Sequence, residues 1–141
     1  MPPKAPAPGS PQDWLRHARS DLAMARGGRS GLILREHLCF HAQQATEKAL
    51  KAVLLGCRIA PPRTHDIGHL LTLLPATLPQ PAAVRAAAVL TKYAVQARYP
   101  TDWDEISPAD FAQSLKLAAA VLRWATAQLR KRPERGAELF T

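Results

Sequence analysis

Phe40-His41-Ala42-Gln43-Gln44-Ala45-Thr46-Glu47-Lys48-Ala49-Leu50-Lys51-Ala52-Val53-Leu54-Leu55 decides how this chain folds. The stretch holds neither Gly nor Pro, and Thr46 and Val53 are its only β-branched residues. Ala, Leu, Gln, Glu and Lys fill most of the rest, and these are strong helix formers. Ala42, Ala45, Ala49, Ala52 and Val53 recur at helical spacing and share one face. That face is small-sided, so a second helix can approach it closely. A second strip, Phe40, Leu50 and Leu54, has Gln43 and Glu47 among its apolar residues. A third row, His37, His41, Gln44, Lys48 and Lys51, is polar. Such a helix is flanked on more than one side, and polar groups beside packed surfaces need partners.

Working outward, the helix runs from about Leu32 to Leu55, with Gly56 as its stop. Before it, Gln12 to Arg26 reads as a first helix with Trp14, Leu15, Ala18, Leu22 and Ala25 facing inward. Gly27-Gly28 and Ser30-Gly31 make a tight turn between the two, which favours an antiparallel pair. After it, Pro61-Pro62 marks a loop. Thr64 or Asp66 caps a short helix from Asp66 to Leu74. A fourth helix spans Ala82 to Ala97, with Val84, Ala88, Leu90, Ala94 and Val95 as its core positions, and Pro100 ends it. Ser107-Pro108-Ala109-Asp110 is a strong helix start, with Ser as N-cap, Pro at N1 and an acid at N3. The last helix runs to Arg130, with Phe111, Leu115, Ala118, Ala119, Leu122 and Ala125 or Thr126 inward.

These elements predict an all-α, up-and-down bundle of four long helices plus one short helix. It spans residues 12–131. A Pro-rich, disordered tail covers 1–11 and a loose tail 132–141.

At 141 residues one domain is expected. No apolar run reaches the ~18 residues of a membrane span. The N-terminal Met1-Pro-Pro-Lys-Ala-Pro-Ala-Pro has no apolar core of a secretory signal, so a cytoplasmic location follows as the expectation. Cys39 and Cys57 read as reduced packing residues, roughly 27 Å apart along one helix. The net charge of +8 is uneven. Arg16, Arg19, Arg26, Arg29 and Arg35 outnumber the acids at the first helix pair, and Arg123, Arg130, Lys131, Arg132 and Arg135 crowd the C-terminal end. Such a surface suits RNA, nucleotides or an acidic protein, or serves as solvated surface only. No aromatic residues interleave with these arginines.

His37 and His41, and His65 and His69, stand four residues apart, which is a spacing that can serve a metal. No Glu or Cys completes a ligand set, so no metal and no cofactor is expected. Asp102, Asp104 and Glu105 read as helix-capping or ion-pairing acids rather than a cation site. No phosphate-binding Gly loop and no nucleophile signature is present. Arg98-Tyr99-Pro100 closes a helix. Its guanidinium can hold a phosphate or carboxylate bidentately, or can pair with Glu47.

Three segments together resemble the HEPN domain (higher eukaryotes and prokaryotes nucleotide-binding). They are Phe40 to Leu55, with Gln44, Glu47, Lys48 and Lys51; Arg63-Thr64-His65-Asp66-Ile67-Gly68-His69-Leu70-Leu71; and Tyr93-Ala94-Val95-Gln96-Ala97-Arg98-Tyr99-Pro100. The resemblance covers about Trp14 to Leu129. It implies a helical bundle, commonly a homodimer, that often sits beside a minimal nucleotidyltransferase in a two-gene, toxin–antitoxin-like module. It also implies a ligand site for nucleotide or RNA at Arg98, Tyr99, Gln44, Glu47, Lys48, Lys51, His65 and Asp66. Several branches of the family are metal-independent RNases that use an Arg followed, four to six residues on, by a His. This chain departs there, because no His follows Arg98. The spacing recurs at Arg35 with His41, Arg58 with His65 and Arg63 with His69, and the catalytic candidates are Arg98, His65 and His69. Three readings stay open: a non-catalytic binding or partner subunit, an RNase with an atypical Arg/His set, and a purely structural dimeric module.

Overall fold

A computed structural model describes residues 5–27, 31–96 and 105–132. Among the described residues six segments of α-helix follow one another: α1 (Pro11–Arg26), α2 (Arg35–Gly56), α3 (Ile67–Leu73), α4 (Ala82–Ala86), α5 (Lys92–Gln96) and α6 (Pro108–Arg130). A 3-10 segment, Ala87–Thr91, joins α4 to α5. There are no strands among the described residues, and the architecture is an all-α bundle.

The centre is a three-helix packing. α2 packs most extensively on α1 and then on α6, and α1 also meets α6. The alanine face explains the intimacy. Ala18 and Ala25 of α1, Ala42, Ala45, Ala49 and Ala52 of α2, and Ala118 and Ala125 of α6 are all fully buried. Without side chains beyond Cβ, helix axes can come to the short end of the usual ~8–10 Å separation. Around this seam Leu15, Leu50, Leu54, Ile67, Leu70 and Leu90 are sealed from solvent. Each contributes on the order of 1.5–3 kcal/mol of burial. α3 and the 82–96 segment close the remaining side of α2. Trp124 pins the intervening loop by donating its Nε1–H to the Pro79 carbonyl at 3.0 Å.

Several boundaries differ from the expectations. α1 starts at Pro11, with Ser10 as N-cap accepting the Asp13 amide. α2 starts at Arg35, because Leu32, Ile33 and Leu34 find no core to cover; Leu32 is 88% exposed. Helix propensity without a buried face does not repay backbone ordering. Gly56 lies inside α2, and a Cβ there would come within 2.7 Å of Leu129 Cδ2. As the last residue of α2 it ends the helix within one position of the expectation and also packs against Leu129. The expected fourth helix is broken by the 3-10 segment, where the Thr91 hydroxyl accepts the amide of Ile67 at 3.1 Å. Val95 faces solvent rather than core. On α6 the buried stripe includes Leu117, Val121, Trp124 and Leu129, while Phe111 and Leu115 are only partly covered.

Candidate functional site

The polar residues of α2 build two clusters, each around a buried carboxylate. The first centres on Asp21, which α1 carries in its apolar stripe and which is buried. Lys48 of α2 reaches it with Nζ at 2.6 Å from Oδ2, and His41 Nδ1 lies 3.0 Å from Oδ1. An ionised carboxylate only accepts, so His41 donates from Nδ1. The ion pair joins α1 to α2 across 27 residues of sequence.

The second cluster centres on Glu47, also buried. Its Oε2 accepts from Lys51 Nζ at 3.0 Å. Its Oε1 accepts from His65 Nδ1 at 2.8 Å and from Gln43 Nε2 at 3.2 Å. Gln43, with no exposed surface, also donates to the His65 carbonyl at 3.2 Å, and its own Oε1 accepts from Gln44 Nε2 at 2.7 Å. Lys51 Nζ further lies 5.6 Å from the centre of the Trp14 ring. Each buried carboxylate is thus matched by one ammonium, and none of the described buried side-chain nitrogens or oxygens lacks a partner. Buried charges are tolerated only when so paired and hydrogen-bonded.

The Thr64-His65-Asp66 segment is spent in the same way. Thr64 Oγ1 accepts the Asp66 amide at 3.1 Å. His65 hooks onto α2. Asp66 is the N-cap of α3, and its Oδ1 accepts the His69 amide at 3.2 Å. These three residues fasten the start of α3 to the middle of α2.

The structure therefore brings Gln44, Glu47, Lys48, Lys51, His65 and Asp66 into adjoining clusters and gives each a partner within the fold. The expected ligand residues Arg98 and Tyr99, and the Arg98–Glu47 pair, lie outside the described residues. Among the described residues, no hydrogen bond or ion pair joins His65 to His69, Arg63 or Asp66. No three or more of their His, Cys, Asp and Glu side chains are grouped to hold a metal ion, and no helix is long and apolar enough to cross a membrane.

Sequence reasoning overlooked Asp21 and underrated Gln43. The signal for Asp21 was a charge set inside the Leu15, Ala18, Leu22, Ala25 stripe. The basic clusters also meet: Arg19 and Arg26 of α1 share a groove of about 540 Å³ with Arg123 and Arg130 of α6. The thiols are unpaired in any disulfide. Burial pushes both up, and the Arg132 guanidinium, 2.8 Å from Cys57 Sγ, draws Cys57 partly back down.

Comparison with known proteins follows the same outline. The family model for the HEPN domain matches residues 11–130. The crystal structure of TT1696 from Thermus thermophilus is 34% identical, with a TM-score of 0.74 over 84% of this chain and 98% of that one. The crystal structure of ST0689, an archaeal HEPN homologue, is 32% identical, with a TM-score of 0.66 over 85% of this chain and 98% of that one. No curated protein matches the chain. The matched span runs from the first residue of α1 to the last residue of α6, and the chain belongs to the HEPN domain family.

Proposed function

We propose that this chain is the binding or partner subunit of a two-gene module formed with a minimal nucleotidyltransferase, with no catalytic centre of its own. It works in the cytoplasm as a homodimer. The observation that supports this is the closed accounting of the α2 polar row. Asp21 pairs with Lys48 and Glu47 with Lys51, so each of these four charges already has a partner within the fold. Arg98 and Tyr99 are the ligand contacts we assign to a nucleotide or RNA phosphate.

The test is size-exclusion chromatography with a minimal nucleotidyltransferase sought among the neighbouring genes, together with calorimetry against nucleotides and short RNA. A stable complex and nucleotide binding lost in Arg98→Ala support the reading. Absence of both sinks it.

One observation favours a second reading. His65 is bound to Glu47 through Nδ1, while its side chain is 53% exposed. A half-exposed imidazole oriented by a carboxylate is an arrangement that a general base uses. RNA cleavage by the purified protein, abolished by His65→Ala or His69→Ala, would establish the RNase reading instead.

A further inference from the structure

The groove between α1 and α6 has a chemistry that the buried clusters do not use. Its floor is Leu22 and Leu122, and Arg19, Arg26, Arg123 and Arg130 line it. Among the described residues, none of these four guanidiniums has a carboxylate within ion-pair distance. Their neighbour Arg16 differs, being held by Asp13 at 2.8 Å. The Thr126 hydroxyl in the groove wall is turned back onto the Leu122 carbonyl at 2.8 Å. What the groove offers is an aliphatic floor and four guanidiniums that have no carboxylate partner among the described residues.

The spacing narrows the occupant. On each helix the two arginines are seven residues apart, about 10.5 Å or two turns. Carboxylates two turns apart on a facing helix repeat at the same interval. We infer that the α1/α6 groove receives an amphipathic acidic helix from a partner protein, its apolar side on Leu22 and Leu122 and its carboxylates on the arginines. The net charge of +8 adds long-range attraction for such a partner.

Other occupants fit less well. No aromatic ring lines the groove, so single-stranded nucleic acid would find no stacking platform. A second copy docked symmetrically would set arginines against arginines. Nor do this chain's own described helices supply an acidic stripe. Asp13, Asp21 and Glu47 are already in ion pairs, and Asp110 is occupied in the cap of α6. The inference rests on the partner-subunit reading, but its test uses no nucleotidyltransferase and no nucleotide, so the two fail separately.

The full chain is titrated by fluorescence anisotropy with a labelled helical peptide as long as α1. The peptide carries Leu and Ala along one face, flanked by Glu at seven-residue intervals. A peptide with Lys in place of each Glu and an oligouridine RNA are the comparison probes. The acidic peptide is expected to bind and the Lys peptide not to bind. The charge-reversed variant R26E/R123E is expected to weaken binding by more than about tenfold. A127W, a bulky change at an exposed lining position that leaves the charge alone, is expected to weaken it as well. All these substitutions are at exposed positions, and thermal unfolding verifies that both variants fold. Failure of the acidic peptide to bind, or equal binding by R26E/R123E, overturns the inference. Oligouridine binding that falls in R26E/R123E but not in A127W reassigns the groove to nucleic acid. Loss of the dimer in R26E/R123E reassigns it to a second copy.

Discussion

Replacing Glu47 with Ala should be among the costliest single changes in this protein. The carboxylate is buried and accepts from three side chains, of which Lys51 is itself buried. Removing it leaves the Lys51 ammonium in the interior without a counter-charge. Breaking a buried pair by deleting one partner costs about 3–5 kcal/mol. The Trp14 ring, 5.6 Å from Nζ, offsets at most about 1 kcal/mol of that. Gln43 loses little, because its amide keeps the His65 carbonyl. The net cost is about 3 kcal/mol, or roughly 10 °C in Tm for a chain of this size. Urea and thermal unfolding followed by circular dichroism measure it. The double variant Glu47→Leu/Lys51→Met removes both charges and should recover most of the loss, to within about 1 kcal/mol of wild type. If the row existed to hold a ligand, Glu47→Ala would leave stability unchanged or raise it. A loss under ~1 kcal/mol, or no recovery in the double variant, would refute the structural assignment of the row.

Other outcomes follow from other parts of the fold. Ser107→Ala removes the hydroxyl that accepts the Asp110 amide and should cost about 1 kcal/mol in the same unfolding assay. The Asp110 carboxyl is held below its ordinary value, chiefly by the Ser107 amide that it accepts. A carboxyl depressed by folding stabilises above its unfolded value and loses that contribution as pH falls through the folded one. Asp110→Asn should therefore be less stable than wild type at neutral pH and should converge with it in acid. Gly56→Ala gains helix propensity but drives a Cβ toward buried Leu129; overpacking should win, leaving the variant about 1 kcal/mol less stable. Cys39, fully buried, should resist a thiol reagent until the chain unfolds, whereas partly covered Cys57 should react slowly in the native state. Equal rates for the two would contradict that burial.

Local chemistry made much of this architecture legible. The Ser107-Pro108-Ala109-Asp110 start fixes α6 to the residue, and both reciprocal hydrogen bonds of a capping box are present. The alanine face of α2 announces close packing, and eight alanines across three helices are sealed. The same Ser-Pro-x-Asp pattern at Ser10 to Asp13 starts α1, but there it was masked by the surrounding prolines. What escaped is set by tertiary context. Periodicity places Val95 inward on a continuous helix, and the 3-10 segment changes the phase before it arrives. Asp21 reads as surface charge until Lys48 and His41 come to meet it from a distant part of the sequence. Motif residues that resemble a ligand row turn out to be satisfied by one another, which spacing along one helix cannot reveal.

The most direct test is to watch the side chains themselves. Nitrogen-15 signals of the Lys48 and Lys51 ammonium groups should be assigned and followed while adenine nucleotide or short RNA is added. If Asp21 and Glu47 hold these groups for the fold, both signals stay in place at saturating ligand and disperse only when the chain unfolds. A saturable shift of either signal on adding ligand, before any unfolding, would contradict the account.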